Sequence, residues 1–128
     1  MEQQVSQGIK ISVEPSFSEE RSVPGNGNYL FTYTINIKNL NDDPVMLLRR
    51  RWFIFDALND HSEVEGPGVV GLTPSLQHGE SFKYTSACVL LGEFGSMTGY
   101  YVFRNMKTGV EFAVQIPKFN LTVPWILN

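Results

Sequence analysis

The chain has 128 residues, 42% of them hydrophobic, and a net charge of −3, which suits one domain that buries a core without disulfides or metal. The acidic balance argues against a nucleic-acid binder, which carries a basic field. The single cysteine, Cys88, rules out an intrachain disulfide and fits a reducing, cytoplasmic setting. The start, Met1 to Gln7, lacks the basic and apolar regions of a signal peptide, and no apolar run is long enough for a helical membrane span, so no membrane partner is expected. The first eight residues are expected to be loose, as chain ends often are. Ile9, Ile11 and Val13 then alternate with Lys10, Ser12 and Glu14. Pro24 to Asn28 is a turn rich in glycine and asparagine. From Tyr29 to Lys38 the odd positions are aromatic or β-branched and the even ones, Leu30 apart, are polar. That period of two marks a strand with one wet face.

Asn41 to Pro44 forms a tight turn before the long apolar run Val45 to Phe55, which three arginines interrupt. Phe82 to Leu90, Met97 to Arg104 and Val110 to Ile116 are strand-like. Asn105 to Gly109 closes a hairpin, with Gly109 in the left-handed position. No helical period of useful length interrupts the series. The pattern predicts a single all-β domain over 1–128, an immunoglobulin-like or fibronectin type III-like sandwich of two antiparallel sheets with about seven strands. Trp52, in what would be the third strand, is placed as the core tryptophan of such sandwiches are. The apolar tail Val123 to Leu127 either packs on its own domain, covers a sheet edge, or docks on a second copy, so a homodimer stays open.

Gly66, Gly68 and Gly71 match the spacing Gly-x-Gly-x-x-Gly. In dinucleotide-binding folds that spacing opens a helix whose N-terminus meets a pyrophosphate. Here Pro74 and Gly79 interrupt the chain too soon for such a helix. The glycines are therefore read first as structural, with an anion nest of backbone amides as the alternative. Arg50 shares a face with Trp52, whereas Arg49 and Arg51 face the other way. Arg50 is the cation that would accompany the glycine loop in binding a phosphate-containing anion. Asp56, Asp60 and Glu63 are weak candidates for a magnesium site, and no firm metal site or cofactor is expected. His61 and His78 have no ligand spacing and fall in polar segments. Ser86 and Ser96 lack a histidine partner, and Cys88, within a strand, is expected to be buried and inert. No catalytic residue is named, and the chain is expected not to be an enzyme.

One family pattern joins these pieces. Glu63-Val64-Glu65 precedes the glycine loop, and Pro74, Leu76, Gly79-Glu80, Phe82 and Tyr84-Thr85-Ser86 follow it. Gly95 to Tyr101, Ile116 to Phe119 and Leu121 to Pro124 complete the set, with Arg50 and Trp52 two apart upstream. From about Val5 to Pro124 the chain resembles the ApaG family. The resemblance implies a fibronectin type III-like sandwich. It is similar to a domain that serves as a recognition module in eukaryotic F-box proteins and in a polymerase-interacting protein. It also implies a link to cobalt and magnesium tolerance and to genes near one for diadenosine tetraphosphate hydrolysis. The chain departs from the family with His78 in place of a proline before Gly79-Glu80, with Gly92-Glu93 in place of Thr-Pro, and with Tyr100 and Asn128 where some members carry histidines. Two functions follow as expectations. One is a non-catalytic module that binds another protein or a ligand. The other is a nucleotide- or pyrophosphate-binding protein tied to divalent-cation tolerance or diadenosine tetraphosphate metabolism.

Overall fold

The computed structural model describes residues 1–127, and among them the chain forms two antiparallel sheets and two short 3-10 turns. The strands are β1 (Glu2–Ser6), β2 (Ile9–Val23), β3 (Asn28–Asn39), β4 (Val45–Asp56), β5 (Asp60–Pro67), β6 (Ser75–Leu76), β7 (Ser81–Leu90), β8 (Phe94–Asn105) and β9 (Glu111–Thr122). The first sheet runs β1-β2-β3-β7 and the second β5-β4-β8-β9, with β6 also against β4. The sandwich predicted from the alternating strands is therefore present, with more strands than expected. The additional ones are β1, β5 and the two-residue β6. Glu2–Ser6, expected to be loose, pairs with β2 from Glu2↔Val13 to Ser6↔Ile9. β1 and β5 are exposed and mostly polar, and β6 is only two residues long, so none of them carries an alternating apolar signal.

The inward rows make the core. Ile9, Ile11 and Val13 of β2 and Phe31, Tyr33, Ile35 and Ile37 of β3 face Leu47 and Trp52 of β4 and Tyr101 and Phe103 of β8. Trp52 is packed edge-on by Tyr33, at a ring separation of 5.5 Å, and by Phe119, at 5.9 Å. Burying such side chains contributes about 1.5–3 kcal/mol each. The tail packs on its own domain: Val123 is fully buried and the Trp125 ring lies 5.6 Å from Phe17 and 6.5 Å from Tyr29. Its indole N–H donates to Glu93. The hairpin glycine, Gly109, has the expected positive φ of 78°.

Two bulges decide which side chains face inward. Between Leu47 and Arg49 the register of β4 against β8 slips by one, leaving Leu48 as the additional residue. Inward positions on β4 thus change from Val45 and Leu47 to Arg50, Trp52, Ile54 and Asp56. A second slip between β8 and β9, at Met97/Gly99, moves the buried row of β9 from Val114 and Ile116 to Phe119 and Leu121. Pro117 sits at that slip, where a missing N–H is tolerated.

Candidate binding site at the glycine loop

Gly66 and Pro67 end β5, and the loop from Gly68 to Pro74 joins β5 to β6; both of those strands lie along the same edge of β4. The loop is thus an excursion within an interrupted edge strand, and no helix follows it. Gly68 N donates to Leu48 O at 2.8 Å, taking up a carbonyl of the bulge residue. Val69 and Leu72 exchange two N–H to carbonyl bonds of 2.8 Å. Between them Val70 (φ 43°) and Gly71 (φ 79°) both have positive φ, as a type I′ hairpin turn requires. The Val69 side chain is 1% exposed and belongs to the core. The loop is a small hairpin pinned at its base by one buried valine.

Arg50 completes the arrangement. It faces inward at the end of the core row, and its Nη1 donates to Pro67 O and to Gly68 O, both at 3.0 Å. Each glycine has a local reason. A Cβ on Gly66, which pairs with Arg50, would stand 3.1 Å from the guanidinium. A Cβ on Gly68, whose φ is +57°, would lie 2.1 Å from Leu72 O. Gly71 has open space around it and needs only its positive φ. The structure therefore brings Arg50 to Gly66 and Gly68, and leaves Gly71 at the hairpin tip. The amides of Gly68, Val69 and Leu72 are engaged with carbonyls of the fold, and two loop carbonyls face the arginine. An anion between loop and Arg50 would have to displace those bonds.

The other two arginines point outward and are paired. Arg49 binds Glu111 at 3.1 Å, and Arg51 binds Glu65 at 2.8 Å and also Glu63. Together with Gly66, Pro67 and Tyr100, the arginines line a shallow depression of about 450 Å³.

The carboxylates considered for magnesium do not converge. Asp56 is 6% exposed, and its oxygens accept from Leu58 N (3.1 Å), Leu91 N (2.7 Å) and Gly92 N (3.0 Å). Asp60 sits beside His61 at 2.7 Å, and Glu63 is taken by Arg51. Among the described residues no group of three or more His, Cys, Asp or Glu is placed to hold a metal. His61 proves to lie within β5 rather than in a loop, and His78 approaches Asn41 O at 2.9 Å. Cys88 is half-buried, and desolvation, with a smaller push from Asp56, raises its thiol to about 11. That thiol is a poor nucleophile at neutral pH. Asn128 lies outside the described residues.

One cluster is not visible as a motif. Tyr33 (β3), Tyr84 (β7) and Tyr101 (β8) all point inward near Arg50, and the Tyr84 and Tyr101 hydroxyls meet at 2.5 Å. Burial is the main cause that raises all three phenols, and the nearby Arg50 charge opposes it. Their inward positions in three strands were readable, but their meeting depends on the pairing of sheets.

Comparison with known proteins places this geometry. The family model described as the ApaG domain matches residues 19–105. Protein ApaG of Anaeromyxobacter sp. (strain K) is 46% identical over 125 residues, covering 97% of both chains. Protein ApaG of Mesorhizobium japonicum is 43% identical over 120 residues, covering 94% of this chain and 92% of that one. Among solved structures, the putative ApaA protein of Bordetella pertussis superposes with a TM-score of 0.86 at 39% identity, over 91% of this chain and 94% of the other. With the glycine loop, Arg50 and the two-sheet sandwich all in place, the chain belongs to the ApaG family.

Proposed function

We propose that the chain is a non-catalytic interaction module, a rigid sandwich that recognises another protein through its surface. The observation that carries this reading is the internal use of the glycine loop. Gly68 and Val69 amides, the Arg50 guanidinium and the Val69 side chain are all engaged by the protein itself. A loop so occupied shapes and stiffens an edge of the sheet, and leaves recognition to the exposed faces and turns. Burial raises the Cys88 thiol to about 11, and a thiol so raised is a poor nucleophile, which suits a role without covalent chemistry. The lone cysteine suits a cytoplasmic setting; no helix of the structure is long and apolar enough to cross a membrane.

A nucleotide- or pyrophosphate-binding role is the second reading, and one observation favours it. Arg50 lies against Gly66 and also lines the 450 Å³ depression, so a cation does stand beside the glycines. Titration calorimetry with ATP, diadenosine tetraphosphate and Mg²⁺ separates the two. The module reading expects no saturable heat. A fitted site that disappears in Arg50→Met would replace it with the nucleotide reading.

A further inference from the structure

The two outward faces of the sandwich differ in kind. On the first sheet the outward row is polar: Ser12, Glu14, Thr34, Asn36, Lys83 and Thr85 lie side by side, and Thr34 bonds Thr85 through their hydroxyls. Antiparallel sheets with one wet face normally read this way. The second sheet breaks the rule at β4. Trp52 and Ile54 face in, yet Phe53 and Phe55 face out, so Trp52–Phe55 is a continuous apolar run. Such a run suits a strand covered on both sides. In a two-layer fold, the outer side of β4 has no second cover.

The neighbours on that face extend the apolar stripe. Phe53 is flanked by Tyr100 of β8, at a ring separation of 6.3 Å, and by Arg51, whose guanidinium carbon sits 5.5 Å from the Phe53 ring. Phe55 lies 5.1 Å from the His61 ring. On either side of the Phe53–Tyr100 pair the face sinks into a depression. One is the hollow of about 450 Å³ at Arg49, Arg51 and Tyr100, and the other, of about 390 Å³, is lined by Phe53, Phe55, His61, Thr98 and Lys118. Arg49 and Arg51 are paired to glutamates of the same sheet, whereas Lys118 has no carboxylate at ion-pair distance among the described residues.

We propose that this outer face of β5-β4-β8-β9 docks a peptide segment of a partner protein, with apolar side chains in the two depressions and a carboxylate facing Lys118. This deepens the interaction-module reading and rests on it. The charge pattern selects this occupant. Outward Arg49, Arg51, Arg104 and Lys118 stand against Glu63, Glu65 and Glu111, a net of one positive charge, so the face has too weak a field to track a phosphate backbone. Of the outward cations that line the two hollows, Lys118 is the one without an ion pair among the described residues, and it matches a single carboxylate. A second copy fits poorly, because its own Phe53 and Phe55 are half-buried between neighbours and cannot protrude into hollows.

The test selects a phage-displayed random peptide library on the wild-type protein, then compares binding to Phe53→Thr/Phe55→Thr and Lys118→Glu. Threonine keeps strand propensity on the exposed face, and an unchanged amide NMR spectrum away from β4 verifies the fold. The expected result is a selected consensus with an apolar pair and an acidic residue. Its amide shift changes map to β4, β5, β8 and β9. Affinity falls about tenfold or more in the double variant, as for central aromatic contacts, and Lys118→Glu exchanges the preferred acid for a base. Selected peptides indifferent to all these substitutions overturn this surface while leaving the module reading intact. So does failure to enrich any peptide when calorimetry with nucleotides is silent. A dimer in ultracentrifugation, or binding of an oligothymidylate, that the double variant abolishes also overturns the peptide as occupant.

Discussion

Arg50 and Asp56 stand six positions apart on the inward face of β4, and each ties a loop to the sandwich with a charged side chain. Arg50 donates to the carbonyls of Pro67 and Gly68, whereas Asp56 accepts from the amides of Leu58, Leu91 and Gly92. The arginine serves a loop with a recognisable glycine motif; the aspartate serves two turns with no motif at all. Yet the aspartate is the more buried of the two, and it holds together two connections, β4–β5 and β7–β8. A motif thus marks the loop with the tighter backbone, while the side chain with more depending on it goes unmarked. The difference is physical. Left-handed glycines leave a trace in sequence, and a carboxylate that caps distant amides does not.

The largest expected effect lies at Asp56. Asp56→Ala leaves the Leu91 and Gly92 amides without their acceptor, in a place where the bond to Gly92 is buried. Unsatisfied buried donors cost roughly 1–3 kcal/mol each, so the loss should be about 3 kcal/mol, a large part of a domain's stability. Asp56→Asn keeps one accepting oxygen and should lose about half as much. Urea unfolding monitored by Trp52 and Trp125 fluorescence measures both. A loss below that of the Arg50 substitution would make the glycine end the more important of the two.

Arg50→Met is the matching test at the other end. Methionine keeps an unbranched apolar stem and removes the donor to both loop carbonyls. The Pro67 carbonyl is exposed enough for water to replace the guanidinium, which limits the cost to about 1–2 kcal/mol. Amide exchange should then accelerate at Gly68 and Val69 more than in the core strands, because the loop loses a clamp while the Gly68 to Leu48 bond remains. Uniform acceleration over the whole domain would mean that Arg50 supports the tyrosine cluster rather than the loop.

The same contrast explains what could be read in advance. Alternation in Tyr29 to Lys38 and in Ile9 to Val13 was enough for the two-sheet fold, because those strands have one dry and one wet side. The strands β1 and β5 escaped because, unlike the edge strands β7 and β9, they are exposed on both faces and take their order from pairing alone. The shared face of Arg50 and Trp52 was legible from their spacing. The bulge at Leu48 was not, because a one-residue slip depends on the partner strand. Gly66, Gly68 and Gly71 were visible as a set, but their separate reasons needed the position of Arg50, the Leu72 carbonyl and the hairpin tip. Asp56 drew a metal reading because two of its three amide partners lie 35 and 36 positions downstream.

The smallest expected effect tests whether the glycine loop is fully relaxed. Val70 is β-branched, 54% exposed and held at φ 43°, a region such residues rarely adopt. Its neighbour Gly71 meets the same demand without strain. Asparagine tolerates the left-handed region and favours this turn position before glycine. Val70→Asn should therefore raise stability by about 0.5–1 kcal/mol, visible as a higher urea midpoint with an unchanged slope. Because Val69 alone anchors the hairpin in the core, no buried contact is lost by the change. A lower midpoint would show that the exposed Val70 side chain packs on the loop strongly enough to outweigh its backbone strain. The glycine end would then depend on side-chain packing as well as on its backbone, and would stand closer to the Asp56 end than its motif suggests.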